Sequence, residues 1–557
     1  MSIVTSGIML LTGCSGGGGK EEPDDTPAAE EQTTVTAPDG PFVREGVLGG
    51  PAGFRARLEV KAIERRSDRT VVRFLTTPLE SGEQTVRGAF GGKSSTPVGF
   101  RLLDPAGHRL YYPLVNGNGG GALGTELPTW VVGEVEYVME AHFPRLPEDI
   151  EAITVITPGS TAEMTGIPVE DADEPEDVPS EDPPGYLDLS PGDEVELPVV
   201  SGPVKGKPED RVKTLYSVVQ SPKEERDHSG DRERITIPAG DLFIDDEAEL
   251  KRGADPVLHG LVKEFHDRAD PEKPIEITVH TAAGGDAGDN KKLSQSRAKA
   301  AKEFLEEGAG DDYEIKATGV GGAEPVADEG GLNVEEARAR NHRLEVSFRI
   351  KEEEEEEEAD QEADDEAPSG EDGGDSASEE SDGDEANAED GDKGEDEAKP
   401  VGPALAPFRA KDAEPVRTAT GWTRDHDYEM DVLPFYRDGD FLVANMVIRN
   451  VSDPEDSAED AEVSSPFSGE YEGSQFGEFS VIDPETQTVY RELRVGATRA
   501  HEKKGGVDFV EPPGDAFYPE PGWEGRVFFY VPAPPEGVTT ITFDAGLFGE
   551  IKDVPIE

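Results

Sequence analysis

The chain has 557 residues, with 123 acidic against 53 basic side chains and a formal net charge of -70. A surface of that sign repels nucleic acid and anionic lipid headgroups, so neither is expected as a partner. The single cysteine, Cys14, excludes an intramolecular disulfide and a cysteine-built metal site, and the length leaves room for three or four domains.

In chain order, the first feature is Leu11-Thr12-Gly13-Cys14, followed by Ser-Gly-Gly-Gly-Gly. An apolar residue and two small ones ahead of a cysteine resemble a bacterial lipobox. The resemblance implies that residues 1–14 are a signal segment, that Cys14 is lipidated and that the chain is anchored to a membrane. Thirteen residues precede Cys14 and none is Lys or Arg, so a longer, basic signal is expected upstream. Residues 15–40 hold almost no large apolar side chain and read as a disordered tether. Residues 41–165 alternate in the β manner, with Leu58, Val60 and Ala62 between charges, and with turns at Ser67-Asp68 and Asp104-Pro105-Ala106-Gly107. Residues 166–192 are rich in Glu, Asp and Pro and read as a linker. Strand candidates at Val195–Val200 and Thr214–Val219 lead into the next domain, placed at 193–350 with its core at 235–350. Residues 351–400 hold 26 acidic and 3 basic residues, a self-repelling spacer expected to be disordered. Residues 401–557 return to short β-runs, including Phe441–Ile448, Gly477–Ile482 and Val527–Val531.

The two β regions look like copies of one another. Phe100-Arg-Leu-Leu-Asp-Pro105 and Tyr111 align with Phe479-Ser-Val-Ile-Asp-Pro484 and Tyr490 at one constant offset. Pro144, Pro147, Ile150 and Ile153 align with Pro532, Pro535, Val538 and Ile541 at a second. Hairpins around Asp68 and Gly439 also correspond. Turn spacing and alternation fit two immunoglobulin-like sandwiches flanking a central domain.

That central domain carries the most specific signal. Ile235–Pro238 reads as a strand. Leu258, Leu261, Val262 and Phe265 fall on one face of a helix, and Ile275–Val279 is a second strand. The run His280-Thr-Ala-Ala-Gly-Gly-Asp-Ala-Gly-Asp-Asn-Lys-Lys-Leu-Ser-Gln-Ser-Arg-Ala298 follows. Ala298, Ala301 and Leu305 mark the inward face of a second helix, with Ser294 or Asn290 as candidate N-caps. Tyr313–Thr318 is a third strand, Gly319-Val-Gly-Gly322 a turn, and Asn341-His-Arg-Leu-Glu-Val346 the close. In order and spacing, these motifs resemble the OmpA-like C-terminal domain, whose pattern reads H-T-D-x-x-G-x-x-x-x-N-x-x-L-S-x-x-R-A and whose close reads Asn-Arg-Arg-Val-Glu. The chain departs from it at Ala282, in place of the aspartate, and at His342, in place of the first arginine. The resemblance implies an α+β domain ordered β-α-β-α-β-β that binds peptidoglycan through the diaminopimelate side chain of its stem peptide. That ligand carries a free amine and a carboxylate.

A carboxylate calls for an arginine fork and an ammonium for an acid. The resemblance assigns the fork to Arg297 and polar lining positions to Thr281, Asn290 and Asp246. With Ala282 unable to accept a hydrogen bond, Asp286 or Asp289 in the same loop is expected to meet the ammonium. His280 is expected to be structural, and His259 to lie on the surface. The sequence has no H-E-x-x-H, and its nine histidines lack metal-ligand spacing. The chain is therefore read as a non-enzymatic lipoprotein of the cell envelope, without cofactor or metal, that ties membrane to cell wall. The alternative is an adhesion or assembly module whose β-sandwiches bind a protein partner while the central site has decayed.

Overall fold

Alternating apolar and charged side chains put one face of each strand in water and the other in a core, and both β regions resolve this by closing two sheets face to face. The computed structural model describes residues 41–557 except 50–52, 87, 91–95, 120, 174–188, 201, 328, 331–333, 352–402, 424–425, 454–466, 468–473, 497–507 and 514–520. The expected lipidation site Cys14, the 15–40 tether and the acidic spacer beyond Lys351 lie outside the described residues.

In the first sandwich, strands Phe42–Leu48, Phe54–Arg65, Arg69–Pro78 and Glu136–Pro144 lie side by side. They face a sheet of Arg101–Asp104, Arg109–Tyr111, Ala152–Ile156 and Glu163–Pro168. Leu58, Phe74 and Tyr137 meet Phe100, Leu102, Val155 and Met164 in the core between them. The second sandwich pairs Arg417–Trp422, Asp427–Val432, Phe441–Asn450 and Glu524–Pro532. Its other sheet holds Phe479–Ile482, Val489–Val495, Thr540–Ala545 and Glu550–Pro555, and Met430, Met446 and Phe529 pack on Val481, Phe543 and Ile551.

The internal repeat extends to strand register. Leu102 faces Tyr111 as Val481 faces Tyr490. Thr154 faces Leu103 as Thr542 faces Ile482, and Arg69 faces Pro144 as Phe441 faces Pro532. A one-residue slip would turn every apolar side chain outward, so conserved register means that both copies bury the same pattern.

Two expected boundaries move. The acidic linker does not start at 166: Glu163–Pro168 pairs with Ala152–Ile156, and Glu170–Asp171 adds in parallel to Phe54–Arg65. Nor does 193–211 belong with the central domain. Glu194–Glu196 pairs with Glu136–Pro144, and Val199–Val200 with Gly124–Thr125, which completes the first sandwich.

The two sandwiches, far apart in sequence, share a core. Leu103, Leu110 and Ile156 of the first pack with Phe441, Val443, Phe528 and Tyr530 of the second. Within this contact Glu163, 0% exposed, lies 2.5 Å from Arg526 and 3.9 Å from Arg44 and accepts a 2.6 Å hydrogen bond from the Tyr436 hydroxyl. Burial alone would push this carboxyl up, but the two guanidiniums and the hydroxyl outweigh it and hold it below its ordinary value. Nearby Asp438 accepts from Thr154 Oγ1 at 2.8 Å, Tyr530 Oη at 2.9 Å and the Ala406 amide at 3.0 Å.

One strand joins all three parts. Val212–Gln220 pairs with Arg109–Tyr111 of the first sandwich, Val489–Val495 of the second, and Glu225–Ser229. Glu225–Ser229 in turn pairs with Arg232–Pro238, the first strand of the central domain. The domain's sheet continues Arg232–Pro238, Arg343–Arg349, Ile275–His280, Ile315–Gly321, with only the last pair parallel. Helices Asp255–Arg268 and Ala287–Ala309 cover this sheet through Leu258, Leu261, Phe265, Ala298, Ala301 and Leu305. A short helix, Ala239–Leu242, follows the first strand and another, Val334–Asn341, precedes the last, so the order departs from the expected β-α-β-α-β-β by these two helices. Among the described residues no helix is long and apolar enough to cross a membrane.

Candidate functional site

The site forms where strand Ile275–His280 runs out. His280 is buried at 1% exposure, with Nε2 3.7 Å from Glu345, which matches a structural role. His259 is exposed on its helix, as expected. Beyond Thr281 the chain must turn and start a helix, whose first amides need acceptors. Asp286 supplies them: its carboxylate accepts from the amides of Gly288 at 2.8 Å and Asp289 at 3.0 Å. The helix therefore starts at Ala287, and neither Ser294 nor Asn290 is its N-cap. Asp286, expected to be a ligand-binding acid, caps the helix through Oδ1. Asp289 pairs with Lys292 at 3.2 Å on the exposed helix surface.

Asn290 braces the loop. Its Nδ2 donates to the Ala282 carbonyl at 3.1 Å and the Gly284 carbonyl at 2.8 Å. Ser294, fully buried, donates to Lys291 O and accepts from the Gly321 amide at 2.8 Å, which clamps the helix to the glycine turn. Gly319 permits this approach, since a Cβ there would lie 2.1 Å from the Gln295 nitrogen. Thr281 is 3% exposed, and its Oγ1 makes no hydrogen bond among the described residues. A buried hydroxyl without a partner is costly, and this one sits at the mouth of the loop.

Arg297 is the main correction. The residue assigned to a ligand fork is itself packed, at 3% exposure. Its Nε donates to Glu247 O at 2.8 Å and its Nη2 to Ile244 O at 3.2 Å; its Nη1 lies 3.3 Å from His342 Nε2. Its guanidinium covers the Phe243 ring at 5.2 Å. Asp246 turns this loop through a positive φ of 59°, which helps present two carbonyls to one guanidinium. Each Nη carries two N–H groups, so one on each remains for a carboxylate. Burial, and then the charge of Arg297, push His342 below its ordinary pKa. The ring is neutral at neutral pH and can accept from Nη1.

A residue outside the motif run completes the site. Glu329 Oε1 accepts from the Ala283 amide at 2.7 Å and from Asn341 Nδ2 at 2.8 Å, while Oε2 lies 3.4 Å from Arg338 Nε. Burial favours its neutral form, but these partners outweigh it and hold the carboxyl below its ordinary range. Asn341, 0% exposed, also accepts from the amides of Val326 and Ala327. Arg297 thus meets the Asp246 loop and His342, while Asn290, Glu329 and Asn341 brace residues 282–284 after Thr281; of these, Glu329, Asn341 and His342 are additions to the expected set. The contact from 283 to 329 crosses 46 residues, and no local pattern announces it.

A solved structure, the cell wall anchor of the T6SS from Pseudomonas aeruginosa, is 26% identical over 23% of this chain and 89% of that one, with a TM-score of 0.21. The peptidoglycan-associated lipoprotein from Burkholderia pseudomallei is 26% identical over 19% of this chain and 86% of that one, with a TM-score of 0.16. Among curated proteins, photosystem I chlorophyll a apoprotein A2 from Gloeobacter violaceus is 32% identical over 122 residues, 21% of this chain. The chain spans only 14% of that protein's length. The OmpA family model matches residues 242–340, which include the Asp246 loop, the His280–Ala298 run and all but the last residue of the helix Val334–Asn341. The stretch that carries this match holds the described site residues other than Asn341 and His342, and it is a domain of the OmpA family.

Proposed function

We propose that this chain is a non-enzymatic protein of the cell envelope that holds peptidoglycan noncovalently through its OmpA domain and is anchored to the membrane by a lipid on Cys14. The observation that carries the binding reading is Arg297. It is held rigidly by two backbone carbonyls, yet retains one N–H on each Nη, a fork suited to a carboxylate. The unpartnered Thr281 hydroxyl offers a further hydrogen bond. The side chain of diaminopimelate in a stem peptide ends in a carboxylate and an amine, and it fits this chemistry. The shared core of the two sandwiches, which we read as immunoglobulin-like, would then hold the domain at a set orientation between anchor and wall.

The test is co-sedimentation of the full chain with insoluble diaminopimelate-type peptidoglycan, competed by free meso-diaminopimelate and weakened by salt. A wall built on lysine lacks the carboxylate and should bind far less. Absence of binding to the diaminopimelate wall would overturn the reading. Lipidation is tested separately: Cys14→Ala, expressed with its upstream sequence, should leave the membrane fraction. A second reading makes the sandwiches a docking module for a protein. Trp422, 73% exposed at the end of edge strand Arg417–Trp422, is the observation that bears on it.

A further inference from the structure

The carboxylate end of the proposed ligand has a partner, but its ammonium has none at the expected place. Ala282 stands where the resembling family carries an aspartate, and a methyl group accepts no hydrogen bond. The two acids of the same loop do not fill the gap. Asp286 is exposed and its Oδ1 caps the helix amides of Gly288 and Asp289, and Asp289 pairs with Lys292.

We propose that Glu329 takes over this role, receiving the ligand's ammonium while Arg297 receives its carboxylate. This rests on the peptidoglycan reading above. Glu329 is the carboxylate that bonds the backbone next to Ala282, through the Ala283 amide at 2.7 Å. Acid and guanidinium also flank consecutive residues: Glu329 bonds Asn341, and Arg297 Nη1 lies 3.3 Å from His342.

The two oxygens of Glu329 divide the work. Oε1 is used by Ala283 and Asn341, which fixes the side chain. Oε2 faces Arg338 Nε at 3.4 Å, and Arg338 is 53% exposed. A long pair to a half-exposed arginine is weak, so an ammonium held at its other end by Arg297 can displace it. The ligand specificity that follows is for a zwitterion, not for a simple carboxylate.

Glu329→Gln separates charge from structure, because its amide oxygen can still accept from Ala283. In the full chain, this variant should bind diaminopimelate-type peptidoglycan about ten- to a hundredfold more weakly. Adding Ala282→Asp to it should restore most of the loss. Competition by meso-diaminopimelate should weaken in Glu329→Gln, whereas competition by pimelate, its amine-free analogue, should be unchanged. Equal wall binding by wild type and Glu329→Gln would overturn the proposal. So would an equal loss for both competitors, which would make Glu329 a brace for the loop and nothing more. If the wild type itself does not bind the wall, the peptidoglycan reading fails first, and the two failures are told apart by that control.

Discussion

Replacing Arg297 with alanine should destabilise the OmpA domain as well as weaken any ligand. The guanidinium donates to Ile244 O and Glu247 O and covers Phe243. Hydrogen bonds from a charged donor are worth roughly 1.5–3 kcal/mol each, and the cation–π contact about 0.5–1 kcal/mol or more. Ile244 and Glu247 are themselves exposed, so water can reach their carbonyls once the arginine is gone. That lowers the net loss to about 2–4 kcal/mol, still a large part of a domain's usual 5–15 kcal/mol. The assay is urea denaturation of the full chain, followed by hydrogen exchange at amides 243–250. Arg297→Ala should lower the unfolding midpoint of the domain and speed exchange in that loop. Unchanged stability together with unchanged exchange would show that Arg297 does not hold the loop, and the reasoning about its remaining fork would fall with it.

Further outcomes follow from the packing of the two sandwiches. A protease site inserted between residues 370 and 380 should, when cut, leave both fragments together on gel filtration at about 10 µM, because the strand Val212–Gln220 and the common core span both copies; fragments that separate without denaturant would contradict the shared core. Glu163→Ala leaves Arg526 and Arg44 buried beside a cavity and should cost roughly 3–5 kcal/mol in urea denaturation, so an unchanged midpoint would argue against this cluster. Burial pushes the Asp438 carboxyl up to about 6. The unfolded chain loses this proton near pH 4 while the folded chain keeps it, so its contribution to stability is full at low pH and falls as pH rises to about 6. The fall is on the order of 3 kcal/mol, and the stability of Asp438→Asn relative to wild type should rise by that order across the window. A difference independent of pH would show that Asp438 does not titrate there.

The amino-acid sequence by itself determined the parts whose signals are local. Alternation and turns marked the strands, Leu258 to Phe265 marked a helix face, and the ordered motifs from His280 to Arg343 identified the OmpA domain. Matching apolar positions in the two β regions were legible as a repeat, since the same residues must face inward in each copy. Local pattern could not decide which acid caps a helix or meets a ligand. Asp286 and Glu329 are both carboxylates in polar loops, and only the fold sets one on helix amides and the other against Ala283, 46 residues away. Arg297 was legible as a candidate site residue, but its burial was not, because that depends on where the Ile244–Glu247 carbonyls turn. The union of the sandwiches was equally hidden. Apolar side chains such as Phe441, Phe528 and Tyr530 satisfy the alternation of their own strands, and alternation does not distinguish a face that covers its own core from one that covers a neighbour. Tertiary packing decides that, because it alone brings distant surfaces to van der Waals contact.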